Sequence, residues 1–249
     1  MYSPVLWGNE NRSIVAKLPT HSSSSDIDEF LKKVADLPMR RAPGERGRLI
    51  FAMDATMSRE PTWDRACGIQ AEMFKETAAL GGLDVQLVYY RGFGECRASR
   101  WVSDPNGLLR LMTGVSCQAG HTQIGKILAH AQRETRKRKV DALVFVGDAL
   151  EEDVDPLGQK AGELGLLGVP VFMFHEGVAA HVRRSFEEVA RLSGGAYCPF
   201  DAGSAQQLRE LLSAVAVFAA GGRQALVEFG KERGSKAVRL LTGQIRGRE

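Results

Sequence analysis

No run of about 18 or more apolar residues occurs in the chain, so no transmembrane helix is expected. Met1-Tyr2-Ser3-Pro4-Val5-Leu6-Trp7 lacks the basic start and long apolar core of a secretory signal. Cysteine is sparse and scattered: Cys67, Cys96, Cys117 and Cys198 contain no Cys-x-x-Cys pair, which argues against a zinc ribbon or a dithiol redox site. Reduced thiols in a cytoplasmic protein are the expectation. Charge of one sign is also lacking. A net charge of +3 gives no argument for nucleic acid, and basic clusters such as Arg133, Arg136, Lys137, Arg138 and Lys139 suit a helix C-terminus. There is no internal repeat.

With 249 residues, 44% of them hydrophobic and 25% charged, the chain is long enough for one large α/β domain with short additions. Residues 1–47 read as an N-terminal arm, rich in Pro, Gly and Ser, followed by a short helix carrying Ile27, Phe30, Leu31, Val34 and Leu37. Residues 48–220 alternate strand-like and helix-like segments, which predicts a mostly parallel sheet with helices on both faces. The predicted strands are Leu49–Met53, Leu83–Tyr90, a weaker Arg97–Val102, Asp141–Val146, Val169–His175 and Ala196–Phe200. The helices between them include Gln123–Lys137, Gly158–Leu167 and a closing Ala205–Ala219. Residues 221–249 form a basic C-terminal extension set off by Gly221-Gly222. Its apolar residues, among them Leu226, Val227 and Phe229, are expected to pack on the domain or on a second copy.

Asp54-Ala55-Thr56-Met57-Ser58 follows the apolar run Leu49–Met53, which places a carboxylate and two hydroxyls where a buried strand runs out. Thr122 opens a helical pattern, and Asp148 ends the run Ala142–Val146 with Gly147 between. In an open α/β sheet the carboxyl ends of neighbouring strands share one crevice. Asp54, Thr56, Ser58, Thr122 and Asp148 could therefore converge on a hard cation such as Mg2+ or Mn2+, which takes oxygen ligands at roughly 2.0–2.1 Å. Each residue has a plainer role. Asp54 suits a turn, Thr122 an N-cap, and Glu151, Glu152 and Asp153 compete with Asp148, which is favoured because it ends the strand. His121 reads as a solvent-facing loop residue, His175 as structural, and Trp63 and Trp101 as packing residues.

These residues resemble the metal-ion-dependent adhesion site of the von Willebrand factor A (VWA) domains, an Asp-x-Ser-x-Ser motif followed along the chain by a Thr and then an Asp. The resemblance covers roughly residues 48–220. Thr56 stands where Ser is commoner, Met57 and His121 where Gly is, Arg59 where Met is, and Ala149 where a Gly follows the last Asp. No liganding oxygen is lost, and Arg59 is expected to bring a positive charge close to the metal.

The resemblance implies a Rossmann-like three-layer α/β sandwich of the VWA type, whose Mg2+ (or Mn2+) is completed by an Asp or Glu of a partner protein. It implies recognition, not catalysis, and brings AAA-type ATPases or chaperone systems in as a class of partner. Neither membrane nor nucleic acid is expected. Two alternatives stay open. A haloacid-dehalogenase-type Mg2+-dependent phosphatase would use Asp54 as nucleophile, although Thr56 stands where that family places a second Asp. A metal-free scaffold would use the same residues as caps.

Overall fold

The computed structural model describes residue 29, residues 46–200 and residues 205–232. Six strands form one sheet: β1 (Gly47–Asp54), β2 (Leu83–Arg91), β3 (Glu95–Val102), β4 (Ala142–Gly147), β5 (Val171–Glu176) and β6 (Ala196–Phe200). Their order is β3-β2-β1-β4-β5-β6, parallel throughout except where β3 returns antiparallel on β2. The antiparallel edge strand predicted at Arg97–Val102 is therefore present, two residues longer at its start. The continuous apolar runs have their explanation here, because β1, β4 and β5 are buried along their whole length.

Alternation along β1 supplies two cores. Leu49, Phe51 and Met53 face one helical layer, and Ile50 and Ala52 face the other. The first layer holds α1 (Glu60–Ile69), α2 (Ala71–Thr77), α3 (Pro105–Thr113) and α7 (Ala205–Glu232). The second holds α4 (Ile124–Lys137), α5 (Val154–Leu166) and α6 (Ala180–Ser193). The fold is a three-layer Rossmann-like α/β sandwich. Trp63 packs in the first core with its Nε1 donating to the Met112 carbonyl at 3.0 Å. Trp101 lies under the Arg48 guanidinium, 3.9 Å from the ring centre.

Two elements differ from expectation. Helix α5 begins at Val154 rather than Gly158, because Pro156 falls in its first turn, where a missing N–H leaves no bond unmade. The closing helix does not stop near Ala219. It kinks at Gly222 (φ 70°, ψ −162°) and continues, with Ala225 and Leu226 buried in the same core as β1. Apolar burial on its own domain outweighs the cost of the glycines. The rest of the basic extension and, apart from Glu29, Arg46 and Gly47 (the last of which opens β1), the predicted N-terminal arm and helix lie outside the described residues.

Candidate metal centre

Met53 and Val146 are register partners, so Asp54 and Asp148 leave the sheet from adjacent parallel strands. Asp54 is 1% exposed. Its Oδ1 accepts the Thr56 N–H at 2.7 Å, closing a tight turn, and its Oδ2 accepts the Tyr90 hydroxyl at 3.0 Å. The Thr56 Oγ1 lies 3.3 Å from the Ser58 Oγ, which donates to Asp148 Oδ2 at 3.1 Å. Four of the five sequence-predicted residues thus form one hydrogen-bonded chain across the crevice. Burial pushes the Asp54 carboxyl above its ordinary pKa, against the hydrogen bonds from Thr56 and Tyr90 that pull it down. Tyr90, wholly buried and beside Asp54, is pushed well above the usual phenol range.

Thr122 joins the same loop cluster by another route. Its Oγ1 accepts the Glu151 N–H at 2.9 Å, and its own N–H donates to Glu151 Oε2 at 3.0 Å. It does not cap α4. That helix is capped from the loop after β4 by Glu152, which accepts the N–H groups of Ile124 at 2.5 Å and Gly125 at 2.9 Å. The loop bearing Thr122 is also pinned to the β2–β3 hairpin, where a Cβ at Gly120 would collide with the Gly92 backbone. His121 is an exposed loop residue, its Nδ1 2.9 Å from Glu151 Oε2.

Of three further contributors, Tyr90 and Glu176 were not legible as site residues, whereas Arg59 was expected to bring a positive charge close to the metal and lies beside Asp148. Tyr90 holds Asp54. Arg59, only 3% exposed, turns inward with Nη1 3.5 Å from Asp148 Oδ2 and Nη2 against Glu176 Oε2. Glu176 ends β5, is 8% exposed, and also accepts the Thr62 hydroxyl at 2.5 Å. Its one sequence signal was an acid closing an apolar run, as Asp54 does on β1. Beside it, His175 is buried with Nδ1 3.0 Å from the Tyr197 hydroxyl. Burial pushes its pKa down to about 4, so it is neutral at pH 7.

These donors fit a hard divalent cation. Asp148 Oδ1 is buried without a hydrogen-bond partner, an orphan that a cation would satisfy. Among the described residues no three His, Cys, Asp or Glu side chains form a metal cage, so any ion here depends on hydroxyls beside the two carboxylates. Four of the five exposed large apolar side chains among the described residues lie around the crevice. Exposed Met57, Phe93, Val154 and Val178 all stand where strands run out toward it, and exposed Leu166 lies at the far end of α5.

No protein-family model matches the chain, and neither does any curated protein. Solved structures do. The VWA domain of SpRpn10 superposes with a TM-score of 0.53 at 14% identity, over 72% of this chain and 98% of that one. An aerotolerance-related membrane protein from Bacteroides fragilis gives 0.51 at 14%, over 68% and 98%. Proximal thread matrix protein 1 from the mussel byssus, with a zinc-occupied MIDAS motif, gives 0.53 at 14%, over 73% and 46%. At such identities the likeness is one of fold: the chain has the VWA fold.

Proposed function

We propose that the chain is a divalent-cation-dependent protein-interaction module. In it Asp54, Thr56, Ser58, Thr122 and Asp148 hold Mg2+ or Mn2+, and an Asp or Glu of a partner completes the shell. The observation that carries this is the buried, unpartnered Asp148 Oδ1 at the end of the hydrogen-bonded chain from Asp54. Bound there, the ion supplies an electrophilic centre for an incoming carboxylate. The protein's part is to hold the oxygens: Tyr90 and the Thr56 N–H fix Asp54, and the Glu151 N–H fixes the Thr122 hydroxyl.

Met57, Phe93, Val154 and Val178 give the partner an apolar rim around that acidic contact, as exposed apolar patches at binding sites do. The structural kinship with a domain whose MIDAS holds zinc supports the same choice. Asp54 is poorly placed as a phosphatase nucleophile, since it is 1% exposed and both oxygens already accept hydrogen bonds. Four free thiols suit a cytoplasmic setting, in which an AAA-type ATPase or chaperone system is the class of partner we favour.

Calorimetric titration with MnCl2 and MgCl2 tests the proposal. Saturable binding by the wild-type chain is expected. Absence of binding heat, together with an unchanged melting temperature at saturating MnCl2, would sink it.

A further inference from the structure

Arg59 poses a problem for any cation at this site. Its guanidinium is permanently charged, is 3% exposed, and lies 3.5 Å from Asp148 Oδ2, so by itself it would cancel one of the two aspartate charges. A divalent ion would then have to enter beside a buried positive charge. Glu176 changes that balance. From the end of the next strand it meets the other guanidinium nitrogen, Nη2, and its Oε2 is fixed by the Thr62 hydroxyl at 2.5 Å. His175, buried beside it, adds no charge at neutral pH.

We infer that Glu176 is a positioning residue for the metal centre: it holds Arg59 as a neutral pair, so that Asp54 and Asp148 keep their charge for the cation. The inference rests on the proposed metal-binding function and adds a determinant of affinity outside the five oxygen donors. Removing Glu176 hands Arg59 to Asp148. Removing Arg59 leaves the site one charge more negative. Removing both restores the wild-type balance. Affinity should follow that order of charge, not the order of damage to the structure.

The test is Mn2+ calorimetry on the full chain and on Arg59→Met, Glu176→Gln and the double variant, with melting curves to confirm folding. Glu176→Gln should bind Mn2+ on the order of tenfold more weakly, Arg59→Met more tightly than wild type, and the double variant within about threefold of wild type. A merely structural role for Glu176 would leave the double variant no better than Glu176→Gln. Unchanged affinity in Glu176→Gln, or no recovery in the double variant, overturns the inference while the metal site stands. If Glu176→Gln does not fold, Arg59→Met decides: unchanged or weaker binding overturns it. Failure of the wild-type chain to bind Mn2+ removes the proposed function itself, and this inference with it.

Discussion

Asp54 and Asp148 leave adjacent parallel strands, yet the loops they open treat them differently. The loop after β1 buries its aspartate to 1% exposure and gives both oxygens a donor from its own end of the sheet. The loop after β4 leaves its aspartate with 26% of the side chain exposed and one oxygen without a partner. Glu151 and Glu152 of that second loop resemble ligands in the sequence, but they serve the backbone: Glu151 takes the Thr122 N–H and Glu152 the first N–H groups of α4. One loop fixes an oxygen, and the other offers one. A buried carboxylate that is already hydrogen-bonded makes a rigid anchor for a cation, whereas an orphaned oxygen supplies the affinity.

The largest effects should come from deleting either aspartate. Asp54→Ala and Asp148→Ala should each abolish Mn2+ binding in calorimetry. Their melting curves should differ. Asp54→Ala strands the buried Tyr90 hydroxyl, an unsatisfied donor that costs about 1–3 kcal/mol. Asp148→Ala removes the unpartnered Oδ1 together with Oδ2, but the exposed Ser58 hydroxyl can turn to water and Arg59 keeps Glu176, so stability should stay nearer wild type. Equal destabilisation would mean that both loops anchor. Retained binding in both variants would remove the metal centre.

Acid should separate Asp54 from His175, the buried β5 neighbour of Asp148, by sign. His175, beside Asp148, has a folded pKa lowered to about 4 by burial, so the unfolded chain takes up its proton first. Its contribution therefore declines as pH falls from about 6.5 to about 4, by about 3 kcal/mol in all. Asp54 is shifted the other way. Its raised pKa means that the folded chain takes up the proton first, so its contribution rises as pH falls through its folded pKa. Urea denaturation across this range should show His175→Phe flattening the loss of stability and Asp54→Asn steepening it. A His175→Phe profile identical to wild type would assign the acid response elsewhere.

Much of the fold was legible because its signals are local. Apolar runs mark β1, β4 and β5, and each site aspartate follows such a run. The supporting residues were hidden because their partners are distant in sequence. Tyr90 reads as a strand residue until β2 pairs with β1 and sets its hydroxyl on Asp54, and Arg59 reads as a positive charge near the metal, but its pairing with Glu176 shows only once β5 brings that residue to it. The capping of α4 was misplaced for the same reason: Thr122 has the right residue type next to the helix, but the acceptor comes from Glu152 on another loop. The helix beyond Gly222 was read as a separate segment because glycine is a local signal, while the burial of Leu226 is a tertiary one.

The smallest effects should fall on the acids that only resemble ligands. Glu152→Gln removes one of two charge-assisted bonds at the start of α4 and weakens the other, and should cost about 1–2 kcal/mol of stability, with Mn2+ affinity nearly unchanged. Glu151→Gln should do less. Its carboxylate is half exposed, and it accepts from the Thr122 N–H and from His121, both at the mouth of the crevice. The Thr122 hydroxyl is held instead by the Glu151 backbone N–H, which the substitution keeps. A glutamine oxygen can still accept from the Thr122 N–H, so the loop should hold its course. Affinity should therefore stay within about threefold of wild type, and stability within about 0.5 kcal/mol. Loss of binding as complete as in Asp148→Ala would make Glu151 a ligand, and the division between an anchoring loop and an offering loop would have to be redrawn around it.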